Sequence, residues 1–257
     1  MTKPASNNQI KEWRKLLMGK YRKKTGLFLA EGLRCVEQII KNKNLEVSEI
    51  LTDGTIDHSE INLSDNIPVF ELPKNDFATI SDTENSQGII AVCRIPDQTS
   101  IDNISRSEGL IIALDALQDP GNLGTIIRTA SWFGVGGMLI GKGTADPFQP
   151  KVVRSTAGAT GAIPYLKGDL TAHFDLLEKE NWNIYLLDGS ADSVSIDAVS
   201  PSNKSVIVVG NEGNGVDSTL IKANRKLVRI DGKSDIVESL NAAVAASIAL
   251  YKFSDRK

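Results

Sequence analysis

The feature that most constrains the fold is a regular alternation of short apolar runs and helical patterns after Gly109. The runs at 110–117 (LIIALDAL) and 206–209 (VIVV) are rich in aliphatic residues and too short for typical helices. Such runs predict parallel strands that are buried on both faces. Helical patterns follow strands of this kind, at 119–133 and 238–253 for example. Strand–helix alternation over about 150 residues therefore predicts an α/β domain on a parallel sheet, with helices on both faces.

The first 95 residues carry a second, smaller set of patterns. Amphipathic helices are predicted near 8–18 and 31–43. Strands are predicted at 45–54, 67–73 and 87–95. Residues 96–108 (PDQTSIDNISRSE) are polar, begin with proline and lack periodicity, which is typical of a linker. We therefore predict a small α/β domain at 1–95, this linker, and the larger domain at 109–257.

Composition excludes several classes of protein. No apolar stretch reaches the roughly 18 residues that suggest a membrane span, and the N-terminus lacks the apolar core of a signal peptide. Cys35 and Cys93 are the only two cysteines, and no cluster of His, Cys and carboxylates has metal-ligand spacing. We expect a cytoplasmic protein with reduced thiols, no membrane partner and no metal.

Charge is distributed unevenly along the chain. Residues 1–43 hold eleven Lys/Arg and three Glu, although the whole chain has a net charge of −3. A basic N-terminal part on an acidic body predicts contact with an anionic macromolecule. A solvated basic helix gives the same charge pattern, so charge alone leaves both interpretations open.

Most familiar site signatures fail in this sequence. The glycines of GNEGNG (210–215) do not have the G-x-G-x-x-G spacing of a dinucleotide site, which disfavours a nucleotide-dependent oxidoreductase. The segment 136–143 (GGMLIGKG) nearly matches a phosphate-binding P-loop, but Gly143 replaces the required Ser or Thr. No G-x-S-x-G elbow is present, and His58 and His173 lie among ordinary polar residues. A serine hydrolase therefore has little support.

The segment 122–130 (NLGTIIRTA) fits two interpretations. In the structural one, Asn122 caps a helix and Arg128 is a surface charge. In the functional one, Thr125 and Arg128 share a helix face because they are three residues apart, and the arginine holds a phosphate or polarises a hydroxyl. Taken alone, this segment favours the structural interpretation.

Three segments together point to a function. NLGTIIRTA (122–130), GNEGNGV (210–216) and ESLNAAVAASIALY (238–251) resemble, in order and spacing, the three motifs of the SpoU (TrmH-type) RNA 2′-O-ribose methyltransferases of the SPOUT class. The first 95 residues resemble the substrate-binding domain often joined to it, through KYRKKTGLFLAEGLRCVEQ and SDTENSQGIIAV. The resemblance implies a catalytic domain with a C-terminal trefoil knot. It also implies S-adenosylmethionine as the methyl donor.

The resemblance also assigns roles to individual residues. The catalytic residues that it implies are Asn122, Arg128, Glu212, Ser239 and Asn241. The cofactor contacts, which are largely to backbone, fall on Gly210, Glu212, Gly213, Ile230, Leu240 and Asn241. Candidate RNA contacts are Lys20, Arg22, Lys23, Lys24, Lys151 and Arg154, and a solvated helix face is the alternative for the last two.

One departure from the family pattern lies near the predicted cofactor loop. Where the family usually has Ile-Pro-Met, this chain has Ile230, Asp231 and Gly232. The stiffness of proline is lost there and a carboxylate is gained. We interpret this as a tolerated loop variation.

The resulting prediction is methylation of a ribose 2′-hydroxyl in structured RNA. Ribosomal RNA is favoured over transfer RNA, because the N-terminal domain resembles ribosomal-protein-like RNA binders. The alternatives are a tRNA ribose methyltransferase and a non-catalytic RNA-binding or ribosome-assembly factor with the same fold. The family generally forms homodimers, and the apolar helix predicted at 240–253 would supply an interface.

Overall fold

The computed structural model describes residues 2–56, 63, 66–106, 109–190, 192–233 and 236–254. These residues form two compact units. Unit 1 comprises Met1–Asp97 and Asp146–Ala162, and unit 2 comprises Gln98–Ala145 and Ile163–Lys257. The segment Asp146–Ala162 lies within the predicted larger domain, but its contacts group it with unit 1.

Unit 1 contains a mixed five-stranded sheet with the order β1-β4-β3-β5-β2. Its strands are β1 (Lys3–Pro4), β2 (Leu27–Glu31), β3 (Val47–Thr52), β4 (Val69–Glu71) and β5 (Ile89–Arg94). Its helices are α1 (Asn7–Lys15), α2 (Gly19–Thr25), α3 (Leu33–Asn42), α4 (Lys74–Ala78) and α7 (Pro150–Ser155). Strand β5 pairs antiparallel with both β2 and β3, whereas β3 and β4 are parallel.

The N-terminal helix is fixed by its cap and by its apolar face. The Ser6 hydroxyl accepts a hydrogen bond from the Gln9 amide, and the Gln9 side chain accepts one from the Ser6 amide. Trp13 is buried, contacts Phe70 with its ring and donates to Glu49 at 2.6 Å. Helix α1 ends at Lys15, so the single helix predicted at 8–18 is too long. The basic stretch that follows, for which no helix was predicted, forms α2.

The segment Asp146–Ala162 packs against β2 and α3. The ring of Phe148 lies 5.2 Å from that of Phe28. Gly158 has a φ of 90°, and a Cβ there would lie 2.4 Å from the side chain of Gln38. Only glycine suits that backbone and that close approach. A segment of the predicted larger domain thus completes the core of unit 1.

Unit 2 contains a seven-stranded sheet with the order β10-β12-β9-β11-β6-β7-β8, in which neighbouring strands are parallel. The strands are β6 (Gly109–Leu114), β7 (Gly137–Ile140), β8 (Tyr165–Lys167), β9 (Asn183–Leu187), β10 (Val194–Ser195), β11 (Lys204–Val209) and β12 (Lys226–Arg229). The helices are α5 (Ile101–Ser105), α6 (Pro120–Trp132), α8 (Leu170–Lys179) and α9 (Ala242–Phe253). The predicted α/β fold with a parallel sheet is confirmed.

Helices cover this sheet on two faces. Alternate residues of a strand point to opposite faces. Ile184 and Leu186 of β9 therefore pack in the cluster that contains Phe174 of α8. Tyr185, between them, contacts Phe253 of α9 with ring centroids 4.7 Å apart.

Three details differ from the sequence predictions. Helix α5 forms inside the segment 96–108 that was predicted to be an irregular linker, because Ser100 caps it at the Asn103 amide. The pattern at 218–224 also predicts a helix, but the structure has only a single 3-10 turn there, Ser218–Leu220. Strands β8 and β10 were not predicted. Among the described helices, none is long and apolar enough to cross a membrane.

The strand order contains a reversal at its centre. From β6 the chain runs to β7 and then to β8 at one edge of the sheet. Strand β11 lies on the other side of β6, and from β11 the chain runs to β12, which lies beyond β9. The loops after β6 and β11 therefore leave the sheet in opposite directions at its carboxyl edge. Such switch points are where open parallel sheets bind ligands. The trefoil knot implied by the resemblance stays a prediction.

Candidate active site

The loop after β11 has a fixed, compact shape. A Cβ at Gly210 would lie 2.3 Å from the carbonyl carbon of Gly215, so this position requires glycine. Asn211 and Gly215 exchange backbone hydrogen bonds of 2.8 and 2.9 Å. The Asn211 side chain accepts from the amides of Gly213 and Asn214 and donates to the Ala116 carbonyl. These bonds hold the backbone at residue 212 in place.

Glu212 points from this loop toward the start of α6. Its carboxylate accepts hydrogen bonds from the amides of Asp119 and Gln118, at 2.9 and 3.2 Å, and from the Asn122 side chain at 3.2 Å. Partial burial acts to raise the pKa of Glu212, but these hydrogen bonds outweigh it and hold the pKa below its ordinary value. The group is therefore an anion at neutral pH, at the N-terminal end of a helix whose dipole favours negative charge.

Asn122 has a different role from the helix cap proposed in the structural interpretation. The cap of α6 is Asp119, which accepts from the Asn122 amide at 2.7 Å, and Pro120 occupies the first helical turn. The Asn122 side chain is consequently free to bridge two partners. It donates to Glu212, and its oxygen accepts from the Asn241 side chain at 2.9 Å.

Asn241 connects the third motif to the other two. Its oxygen caps α9 by accepting from the amides of Ala243 and Val244, at 2.9 and 3.3 Å. Its nitrogen donates to Asn122. Glu212, Asn122 and Asn241 thus form a continuous chain of hydrogen bonds, which we call the motif network. Segments that lie about 90 and 119 positions apart in sequence are joined here.

Arg128 lies on the exposed face of the same helix. Its side chain makes no hydrogen bond or ion pair with the residues that the structure describes, and Thr125, one turn before it, is also exposed. A guanidinium that makes no pair within the protein can bind an anion or stabilise a developing one. Ser239 is exposed as well and has no side-chain partner among those residues.

The predicted cofactor residues follow neighbouring strands. Gly210 comes directly after β11 and Ile230 directly after β12, and these strands flank β9. Leu240, next to Asn241, is 45% exposed. Sequence reasoning missed Asp188 and Gly189, which follow β9 and so lie between the other two strand ends. An Asp-Gly pair directly after a buried strand was the available indication.

Asp231, the departure from the family pattern, is held by its neighbours. The Ser195 hydroxyl and then the Arg229 guanidinium, 2.8 Å away, hold the pKa of Asp231 below its ordinary value. Arg229 also donates to the Ser193 carbonyl. The carboxylate is therefore engaged locally, which agrees with a tolerated loop variation.

The candidate RNA contacts in unit 1 divide into two groups. Lys20, Lys23, Lys24 and Lys151 are exposed. Arg22 is 4% exposed, and its guanidinium binds Asp146 and the carbonyls of Leu16 and Leu17. The prediction of an RNA contact is corrected for Arg22, because its donors are used inside the core.

Arg154 is also engaged within unit 1. Its guanidinium lies 2.8 Å from the Asp82 carboxylate and 3.9 Å from that of the buried Glu31. Arg154 is therefore held by ion pairs and is not a freely solvated side chain. Its contact with RNA stays a prediction. Among the described residues, no group of three His, Cys, Asp or Glu is placed to hold a metal ion.

Comparison with known proteins identifies the class and then the family. Residues 109–251 match the model of the SpoU rRNA Methylase family, and residues 7–91 match that of the MRM3-like substrate binding domain. The parallel sheet and the motif network thus define an RNA methyltransferase fold of the SPOUT class with an added substrate-binding domain. The chain belongs to the SpoU rRNA Methylase family.

Individual relatives span the whole chain. The 23S rRNA (guanosine(2553)-2′-O)-methyltransferase RlmP of Bacillus subtilis is 36% identical over 251 residues, which cover 96% of both proteins. A TrmH-family structure from Porphyromonas gingivalis is 29% identical, covers 98% of both chains and has a TM-score of 0.84. An AdoMet-bound rRNA methyltransferase from Sinorhizobium meliloti is 28% identical, with a TM-score of 0.83, and 98% of this chain and 96% of that one are covered.

Proposed function

We propose that this chain transfers the methyl group of S-adenosylmethionine to a ribose 2′-hydroxyl of 23S ribosomal RNA, in the cytoplasm. The observation that carries the proposal is the motif network, in which Glu212, Asn122 and Asn241 are joined at the start of the helix that also carries the exposed Arg128. The 36% identity to an enzyme with this activity, over 96% of both chains, supports ribosomal RNA over transfer RNA.

The backbone groups before α9 and the glycines of the loop after β11 suit S-adenosylmethionine. The peptide groups of Ser239 and Leu240 make no hydrogen bond to the described part of the protein, so they are available to a polar ligand. Gly210 and Gly213 add no side-chain bulk. Backbone donors and acceptors of this kind suit the polar edges of an adenine and an amino-acid tail. When bound, this cofactor would supply a methyl group on a sulfonium sulfur, and the neutral thioether that remains after transfer is a good leaving group.

The motif network positions the reacting groups. Glu212 is held as an anion by two backbone amides and Asn122, so its contribution is to fix the loop after β11 against α6. Asn241 fixes the start of α9, and with it the adjoining Leu240 peptide. Alignment of two reactants in this way contributes several kcal/mol to catalysis, on the order of 7 or more in favourable cases.

Arg128 provides the positive charge at this site. An arginine is a poor general base, because its guanidinium gives up a proton only with great difficulty. Stabilisation of the negative charge that develops on the ribose oxygen, or orientation of a neighbouring phosphate, is the role that its chemistry supports. We assign Ser239, which is exposed at the same edge, to contacts with the incoming substrate.

Unit 1 supplies an RNA-binding surface. Lys20, Lys23 and Lys24 are exposed on α2, and Lys151 is exposed on α7 of the same unit. Contacts of lysine with phosphates bind RNA without reading its sequence and weaken with salt. The match of residues 7–91 to a substrate binding domain supports this assignment.

We also infer that the protein is a homodimer through one face of unit 2. Trp132, Val244, Ile248 and Tyr251 lie on α6 and α9 and are between 36 and 85% exposed. A single copy of the chain leaves this apolar patch in water, which favours burial against a second copy. Ile248→Lys is expected to give a monomer in sedimentation equilibrium. Leu176→Lys, an equally exposed apolar position on α8, is the control that leaves the dimer intact.

Transfer of tritiated methyl groups to RNA transcripts tests the proposed function. Transcribed 23S rRNA is expected to be methylated at one ribose, whereas tRNA transcripts are not. Arg128→Ala is expected to lower kcat by about 100-fold or more, the loss typical of a charge-stabilising donor. Arg106→Ala, at an exposed arginine directly after α5, is the matched control. Methylation of tRNA alone would favour the transfer RNA alternative. Binding of S-adenosylmethionine without transfer to any RNA would favour the non-catalytic one.

A further inference from the structure

A large cavity in unit 2 is not used by the site described above. It has a volume of about 1090 Å³ and opens at the carboxyl ends of β11, β6, β7 and β8. This is the side of the switch point that faces away from β9 and β12. Of its described lining residues, none is Gly210, Gly213, Ile230 or Leu240. These predicted cofactor residues therefore do not line the cavity, although Asn211, Asn214 and Gly215 of the same loop do.

The cavity nevertheless borders the motif network. Gln118 lines it, and the Gln118 backbone amide donates to Glu212 at 3.2 Å. Asn211, whose side chain shapes the loop that carries Glu212, lines it as well. A molecule that fills the cavity would therefore lie beside the loop that carries Glu212.

The lining combines an apolar floor with a polar rim. Ile140, Leu170, Val216 and Leu220 are buried and form the apolar part. Lys142 lies at the rim and is exposed, and its side chain makes no ion pair or hydrogen bond with the described residues. An apolar floor with a few placed polar groups is typical of small-molecule sites, which occupy roughly 300–1,000 Å³.

Asp115 supplies an acceptor inside the cavity. This half-buried residue accepts from the Asp217 amide at 2.8 Å through Oδ2. Its Oδ1 has no hydrogen bond to the described residues. Because Asp115 lines the cavity, a ligand N–H group can donate a hydrogen bond to this oxygen.

We propose that the cavity binds one unstacked nucleotide of the substrate RNA, with Lys142 at a phosphate and Asp115 accepting from an amino group of the base. This inference rests on the proposed function and adds a recognition site to it. Proteins read RNA sequence mainly on bases that leave the stack, through their hydrogen-bonding edges. A carboxylate that accepts from an exocyclic amino group favours cytosine, guanine or adenine over uracil.

Asp115→Asn tests the base contact without removing the loop contact. The asparagine oxygen still accepts from Asp217, but an NH₂ group replaces the free acceptor and opposes an amino group on the base. The KM for transcribed 23S rRNA is expected to rise about tenfold or more, with kcat and S-adenosylmethionine affinity near wild type. Asp197→Asn, at a carboxylate that is 87% exposed, is the matched control with an unchanged KM.

Lys142→Ala tests the phosphate contact. It is expected to weaken RNA binding and to reduce the slope of log Kd against log salt by about one unit. Lys179→Ala, at the far end of α8, is the control because that lysine is equally exposed but does not line the cavity. If both Asp115→Asn and Lys142→Ala keep wild-type KM and salt slope in an enzyme that methylates rRNA, the nucleotide site is refuted while the proposed function stands.

Nucleotide binding can also be measured without methyl transfer. Saturation-transfer NMR on the full chain compares CMP with UMP and GMP with inosine monophosphate, pairs that differ in an amino group. CMP and GMP are expected to bind better than their partners, and Asp115→Asn is expected to abolish the difference. Equal binding within both pairs, together with equal binding of AMP and inosine monophosphate, would refute the base contact, even if no RNA were methylated and the proposed function had failed.

Discussion

The buried ion pair between Arg22 and Asp146 gives the sharpest prediction about stability. Arg22 makes four hydrogen bonds, two to Asp146 at 2.7 and 3.0 Å and two to main-chain carbonyls at 2.9 Å. The arginine side chain is 4% exposed and the aspartate 27%. Asp146→Ala leaves the guanidinium buried without its counter-charge. Removal of one member of a buried pair costs about 3–5 kcal/mol, and the partial exposure of Asp146 places the expectation near 3.

The loss should appear in unit 1, because both residues belong to it. Labelling with 5-fluorotryptophan allows urea unfolding to be followed by fluorine NMR at single sites. Trp13 reports on unit 1, and Trp182 reports on unit 2. The Trp13 transition is expected to move to lower urea concentration. Asp146→Asn, which keeps an acceptor oxygen, should lose less.

A surface pair in the same unit provides the control. Glu46 and Arg94 lie 3.0 Å apart, but their side chains are 63 and 56% exposed. Pairs of that kind contribute about 1 kcal/mol or less, so Glu46→Ala should shift the Trp13 transition only slightly. If Asp146→Ala destabilises no more than Glu46→Ala, the reasoning that makes 146–162 part of the core of unit 1 is wrong.

Two further predictions follow from the direction of pKa shifts. The folded-state pKa of Glu212 is lowered, so its stabilising contribution is present above the ordinary pKa of glutamate and is lost as pH falls through the folded pKa. The stability advantage of wild type over Glu212→Gln, measured by thermal unfolding, should therefore persist at pH 6–7 and vanish in acid; an advantage that grows toward pH 3 would contradict this. Burial raises the pKa of Cys35 to about 11 and that of Cys93 still further, so neither thiol should react with iodoacetamide at pH 8 before unfolding. Fast labelling of the native protein would refute that burial.

The repetitive part of the fold could be predicted from sequence because its strands are buried on both faces. A short aliphatic run such as 206–209 predicts a buried strand. In the structure this run lies in β11, which pairs parallel with β6. The assignment of Asp146–Ala162 to unit 1 could not be predicted in this way. It depends on the ion pair between Asp146 and Arg22, which lies 124 positions earlier. The periodicity of apolar residues carries no information about such a pair. The same lack of information led to the wrong expectation that Arg22 binds RNA.

Within the site, the residues were predictable but their connections were not. Asn122 was weighed as a helix cap because asparagine is common there. Asp119 performs that role three positions earlier, a choice that depends on the turn through Pro120. The side chain thereby released makes the contacts to Glu212 and Asn241.

The chemistry of the motif network explains why its middle and last members are amides. Glu212 as an anion can only accept hydrogen bonds, so its neighbour must donate. The backbone amides at the start of α9 can only donate, so Asn241 must accept from them. Between these two ends, Asn122 and Asn241 each need a donor and an acceptor at fixed separation, which an amide side chain provides and a carboxylate does not. Aspartate at 241 would cap the helix equally well but would face the oxygen of Asn122 without a proton. The cap of α9 and the position of Glu212 are therefore set by one directed chain of hydrogen bonds.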